Sequence, residues 1–98
     1  MNQRSFNVMY MAYLEHSVRY YEQDVSLISD ELYDRLCKAL LRHWHSFNHS
    51  LKHLTDVSAL QAGSGYHLTG RPELHRVRSM IAYYGNQTFL EALTKETP

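Results

Sequence analysis

The sequence predicts an all-α fold: an antiparallel helical hairpin followed by one or two further short helices. Three observations carry that prediction. Phe6, Met9, Tyr10, Tyr13, Ser17 and Tyr20 recur at steps of three and four, the spacing of one face of a helix. Ser29 stands before Asp30 and Glu31, an N-cap followed by an acidic first turn. Pro72 follows a glycine-rich stretch and suits the first position of a later helix.

The first helix is expected from about Ser5 to Gln23, with Asp24–Ile28 as the connection. The second continues from Asp30 through Leu32, Leu36, Leu40, Trp44 and Phe47, a four-residue step that keeps these side chains near one face. So short a connection makes the two helices antiparallel neighbours. Residues 51–62 read as another short helix. The stretch AGSGYHLTGRP holds three glycines and a proline in eleven residues and reads as irregular, so residues 62–72 form a loop. From Pro72, the positions Leu74, Val77, Ile81 and Tyr84 mark the apolar face of a third helix, with Gly85 as its stop. Residues 88–93 form a last turn or two.

With 98 residues, the chain has room for one domain spanning 1–98 and one modest core. Ten basic residues balance ten acidic ones, so there is no overall positive field to drive phosphate-backbone binding, and nucleic acid is disfavoured as a partner. The single cysteine, Cys37, sits among Leu36, Ala39 and Leu40; it reads as buried, and one cysteine fits a reducing, cytoplasmic compartment. The N-terminal residues mix charge through their apolar positions and read as neither a signal peptide nor a membrane span.

The stretch YYEQDVSLISDELYDRL, Tyr20 to Leu36, concentrates the candidate chemistry. Asp30, Tyr33 and Asp34 fall at i, i+3 and i+4 and share one side of a helical first turn. Tyr20 and Tyr21 close the preceding helix across the connection. Together they would line a small pocket with aromatic faces and two anionic acceptors. Such a pocket suits a flat, cationic, amide-bearing ring attached to a sugar. The alternative is that the tyrosines pack the hairpin and the acids serve the helix cap and dipole.

This stretch resembles the N-terminal helical subdomain (domain Ia) of NAD-dependent bacterial DNA ligases. Tyr20, Tyr21, Asp24, Ile28, Asp30, Tyr33, Asp34 and Leu36 stand in register with its pattern, a YY or YH pair, an aspartate and an I-x-D-x-x-Y-D-x-L close. The resemblance covers residues 10–42. It implies a subdomain that closes over the nicotinamide mononucleotide (NMN) half of NAD, with Tyr20, Tyr21, Asp30, Tyr33 and Asp34 as contacts to nicotinamide and its ribose. The ligase's K-x-D-G lysine has no counterpart: Lys38, Lys52 and Lys95 are followed by ALL, HLT and ETP. The chain is therefore not expected to be a ligase by itself, and no catalytic residue is assigned. Beyond Arg42, HWHSFNHSLKHLTDVSALQAGSGYHL resembles small stand-alone ligase-related proteins found in phage genomes.

Two further groups bear on function. His45, His49 and His53 would line one face of an unbroken helix, a spacing at which two histidines can chelate a transition metal, but no H-E-x-x-H motif or cysteine pair completes a site, and no metal is assigned. His67 and Arg71 would add a phosphate contact were the glycine-rich loop to fold back on the tyrosines. The functional expectation is a non-catalytic module that binds NAD or NMN. Its alternatives are an interaction module that engages a host protein such as DNA ligase, in the host cytoplasm, and an NAD-remodelling enzyme using Asp30 or Asp34. A second copy of the chain is a further candidate partner.

Overall fold

The first helix sits at the centre of the molecule. The computed structural model describes residues 3–26 and 28–80, and every regular element among them is helical. Helix α1 spans Gln3–Gln23, α2 Asp30–Arg42, α3 Val57–Ala62 and α4 His75–Met80. Single 3-10 turns stand at Trp44–Ser46, Lys52–Leu54, Tyr66–Leu68 and Pro72–Leu74. Among the described residues, no helix is long and apolar enough to cross a membrane. The expected apolar face at Ile81 and Tyr84, the stop at Gly85 and the turns at 88–93 lie outside the described residues.

The three-and-four stripe describes α1 only in part. Phe6, Met9, Tyr10, Tyr13 and Ser17 are buried as the stripe requires, but so is every residue from Ala12 to Val18, while Tyr20 at the end of the stripe is 47% exposed. The physical reason is that α1 is packed on more than one side: α2, α4 and the Tyr66–Leu68 turn all contact it. A helix enclosed in this way buries most of its circumference, so amphipathicity understates its core.

Ring contacts join α1 to α2 and to His43, the residue that follows α2. Tyr33 stacks on Tyr13 at 6.0 Å and 29°, and Phe6 meets His43 at 5.1 Å. Ser29 caps α2, its hydroxyl accepting from the Leu32 amide at 3.0 Å, and Asp30 and Glu31 answer the helix's positive end.

Helix α2 stops at Arg42, five residues before the expected Phe47. His43 leaves the helical region at φ −112° and ψ 18°. That bend carries Trp44 and Phe47 over the start of α1, where Phe47 stacks on Phe6 at 5.4 Å and the Trp44 and Phe47 rings both meet Tyr10. The Lys52 ammonium closes this corner, lying 4.7 Å from the Trp44 ring and 4.6 Å from the Phe47 ring and donating to both their carbonyls. Aromatic packing thus outweighs continuation of the helix.

The short helix expected over 51–62 is two pieces, the Lys52–Leu54 turn and α3. Asp56 caps α3 by accepting from the Ala59 amide at 2.9 Å, so the N-cap separates the pieces. Gly63 ends α3 in the left-handed region at φ 67°, as a C-terminal glycine commonly does. The glycine-rich loop then wraps back along α1, with the Tyr13 hydroxyl donating to the Ser64 carbonyl at 2.8 Å.

Candidate functional site

The end of α1, the connection and the first turns of α2 enclose a cavity of about 350 Å³. Its lining includes Tyr20 and Tyr21 from α1, and Asp30, Tyr33 and Asp34 from α2. All five residues singled out by the sequence therefore meet in one cavity. The volume falls near the lower end of the ~300–1,000 Å³ typical of small-molecule sites.

Each of the five has a distinct setting. Tyr20 and Tyr21 meet edge to face at 4.8 Å, which leaves one ring exposed at the mouth and the other half-buried. Tyr33 belongs to the wall: its hydroxyl is 2.6 Å from Ser17 Oγ, and its ring rests on Tyr13. Burial pushes the Tyr33 phenol well above its ordinary range, so it stays protonated. Asp30 and Asp34 are both exposed, one turn apart, and are the cavity's two carboxylates. Asp34 lies 3.5 Å from Lys38, whose ammonium also donates to the Gln61 carbonyl at 2.7 Å and so ties α2 to the end of α3.

Four more residues complete the lining: His16, Ser26, Ile28 and Gly63. His16 is one helical turn before Tyr20 on α1, an i, i+4 relation legible in the sequence. It is buried, and burial, reinforced by the Arg19 charge, pushes its pKa down to about 4, so the imidazole is neutral at pH 7. Ser26 and Ile28 come from the connection, where the Ser26 hydroxyl donates to the Ile28 carbonyl at 2.8 Å. Asp24, just before them, takes φ 56°, and the Val25 amide reaches back to the Arg19 carbonyl, which turns the chain out of α1. Gly63 arrives from a segment about thirty residues away, and no local signal marks it. A side chain there would come within 3.0 Å of Asp34 Oδ1.

The loop folds back toward the tyrosines, but His67 and Arg71 do not line the cavity. His67 Nε2 lies 2.8 Å from Thr55 Oγ1, and Arg71 donates to Glu73 at 2.9 Å. What the loop does bring is Tyr66, 69% exposed, edge-on to Tyr21 at 5.8 Å. Gly65 makes the approach possible: a Cβ there would stand 2.2 Å from Ser17 Oγ and 2.7 Å from the Tyr33 hydroxyl.

The histidine stripe does not form, because the helix it needed ends at Arg42. His45 and His53 fall in separate 3-10 turns. His49 lies between them, edge-on to Tyr10 at 5.0 Å and accepting from the Leu51 amide. Among the described residues, no group of three or more histidine, cysteine, aspartate or glutamate side chains is placed to hold a metal ion. Cys37 is fully buried, and burial pushes its thiol up to about 12, so it remains protonated.

Comparison with protein-family models, curated proteins and solved structures gives no match for this chain.

Proposed function

We propose that this chain is a nicotinamide nucleotide binding module, taking NMN or the NMN half of NAD into the tyrosine and aspartate cavity without chemistry of its own. The observation that supports this reading is the convergence of Tyr20, Tyr21, Asp30, Tyr33 and Asp34 on one cavity of about 350 Å³. These are five of the eight positions at which the sequence resembles the ligase subdomain. In this reading the tyrosine rings flank the nicotinamide ring, and Asp30 and Asp34 accept from the ribose hydroxyls or the carboxamide N–H. The Tyr33 hydroxyl is committed to Ser17, so Tyr33 contributes its ring. A cavity this small takes one nucleotide and leaves the adenosine half of NAD outside.

Calorimetric titration with NMN and with NAD tests the proposal. Tyr20→Ala and Asp30→Asn are the informative variants, because both side chains are exposed and neither supports the core. Saturable binding by the wild type, weakened at least ~10-fold in each variant, is the expected outcome; a tenfold loss corresponds to about 1.4 kcal/mol. Absence of binding at millimolar ligand by a protein with intact helical circular dichroism rejects it.

The second reading, an interaction module that engages a host protein such as a DNA ligase, draws on the cavity's rim. Tyr20 and Tyr66 are both exposed and linked through Tyr21. Exposed tyrosines grouped on one surface are typical of binding hot spots. Under this reading Tyr66→Ala abolishes capture of the partner while nucleotide titrations stay silent.

A further inference from the structure

Charge, rather than shape, distinguishes this cavity from an ordinary nucleotide site. Among the described residues, its lining holds two carboxylates, Asp30 and Asp34, and no lysine or arginine. His16, which also lines the cavity, is neutral at pH 7. Three cations of the surrounding elements have partners outside the lining. Lys38 holds the Gln61 carbonyl and meets Asp34 from outside the lining. Arg78 places two nitrogens on Glu22 at 2.6 and 2.8 Å, and Arg19 donates to Gln23. Even the positive end of α2 is answered within the helix, by the Ser29 hydroxyl and by Asp30 and Glu31 in the first turn. A phosphate inside this cavity would face Asp30 and Asp34, and Lys38, 3.5 Å from Asp34, is already held by that carboxylate and by the Gln61 carbonyl.

We infer that the cavity is selective for a cationic pyridinium nucleoside: it recognises the positive ring and the ribose and leaves any phosphate in solvent. The inference rests on the nicotinamide reading above and goes beyond it, because it ranks ligands within that class. The ring's positive charge is drawn both to the tyrosine faces and to the two carboxylates. Neutral rings of the same outline lose both attractions, and a 5′-phosphate adds nothing.

The experiment is a calorimetric comparison of three probes on the whole chain: nicotinamide riboside, NMN, and benzamide riboside, the neutral isostere of the first. The expected result is that nicotinamide riboside binds within ~3-fold of NMN, and benzamide riboside at least ~10-fold more weakly, a gap that two carboxylates beside the ring readily supply. In an Asp30→Asn, Asp34→Asn double variant the gap between the two ribosides closes to within ~3-fold, since the carboxylates no longer distinguish them. NMN binding at least ~10-fold tighter than the riboside would reveal a phosphate partner and overturn the inference, as would equal binding of the two ribosides. Either of those outcomes leaves the nicotinamide reading standing. Failure of all three probes to bind overturns both.

Discussion

At the residue scale, the most consequential neighbours are Glu15 and His16, two titratable side chains buried side by side on α1. Burial pushes the Glu15 carboxyl up to about 7, although the Arg19 charge works against that, and pushes His16 down to about 4. Their effects on stability have opposite signs. Between pH 7 and 4.5 the folded chain binds a proton at Glu15 that the unfolded chain does not, so acidification through that window stabilises. Between pH 6.5 and 4 the unfolded chain protonates its histidine while folded His16 stays neutral, so acidification destabilises. These two terms offset one another between pH 6.5 and 4.5, and His49 and His67, whose pKa values burial also lowers, leave the wild type losing stability on acidification, read as a falling urea midpoint. Glu15→Gln should lose more stability on acidification than the wild type, and His16→Gln less, over the same range. Gly65 supplies a second expectation at this scale. Gly65→Ala drives a methyl into Ser17 and the Tyr33 hydroxyl, and the overpacking should cost about 1–3 kcal/mol in denaturant unfolding. Gly70→Ala meets nothing within 4 Å, so any loss there comes from its φ of 77° alone.

At the element scale, the ends of α2 determine where the candidate site lies. Its start is set by Ser29, whose hydroxyl satisfies the Leu32 amide and so fixes where Asp30 and Asp34 emerge. Ser29→Ala should cost about 0.5–2 kcal/mol in thermal or urea unfolding, whereas Ser29→Asp should preserve the helix. The end of α2 is set by rings rather than by helix propensity. Trp44 and Phe47 gain contacts with Phe6 and Tyr10 only if the chain bends at His43, and the Lys52 ammonium then takes up the carbonyls the bend leaves free. A four-residue apolar step cannot reveal that choice, because Trp44 and Phe47 also suit a continuing helix. The same bend disperses His45, His49 and His53, so the histidine reading and the length of α2 share one cause.

At the scale of the whole molecule, the loop and α4 are locked onto α1 by one carboxylate. Glu22 accepts two bonds from Arg78 and one from the Gly70 amide, and Arg78 donates also to the Arg71 carbonyl. The Arg78 bonds, with help from Gly70, hold the Glu22 carboxyl below the usual range. A depressed carboxyl stabilises above its unfolded pKa and loses that contribution as pH falls through its folded value, so Glu22→Gln should flatten the acid limb of stability. A Glu22→Gln, Arg78→Met double-mutant cycle should give a coupling of about 1–2 kcal/mol, as expected for a part-buried bidentate pair. The sequence by itself determined the helical class, the cap at Ser29 and the grouping of Asp30, Tyr33 and Asp34, because each depends on spacing or on bonds within a few residues. Only the tertiary structure decided that α1 is central, that Tyr20 faces out while Leu14 and Val18 face in, and that Gly63 and Tyr66 close on the tyrosines. Those outcomes depend on which distant segments pack on which sides of α1, and periodicity along one helix carries no information about how many neighbours will cover it.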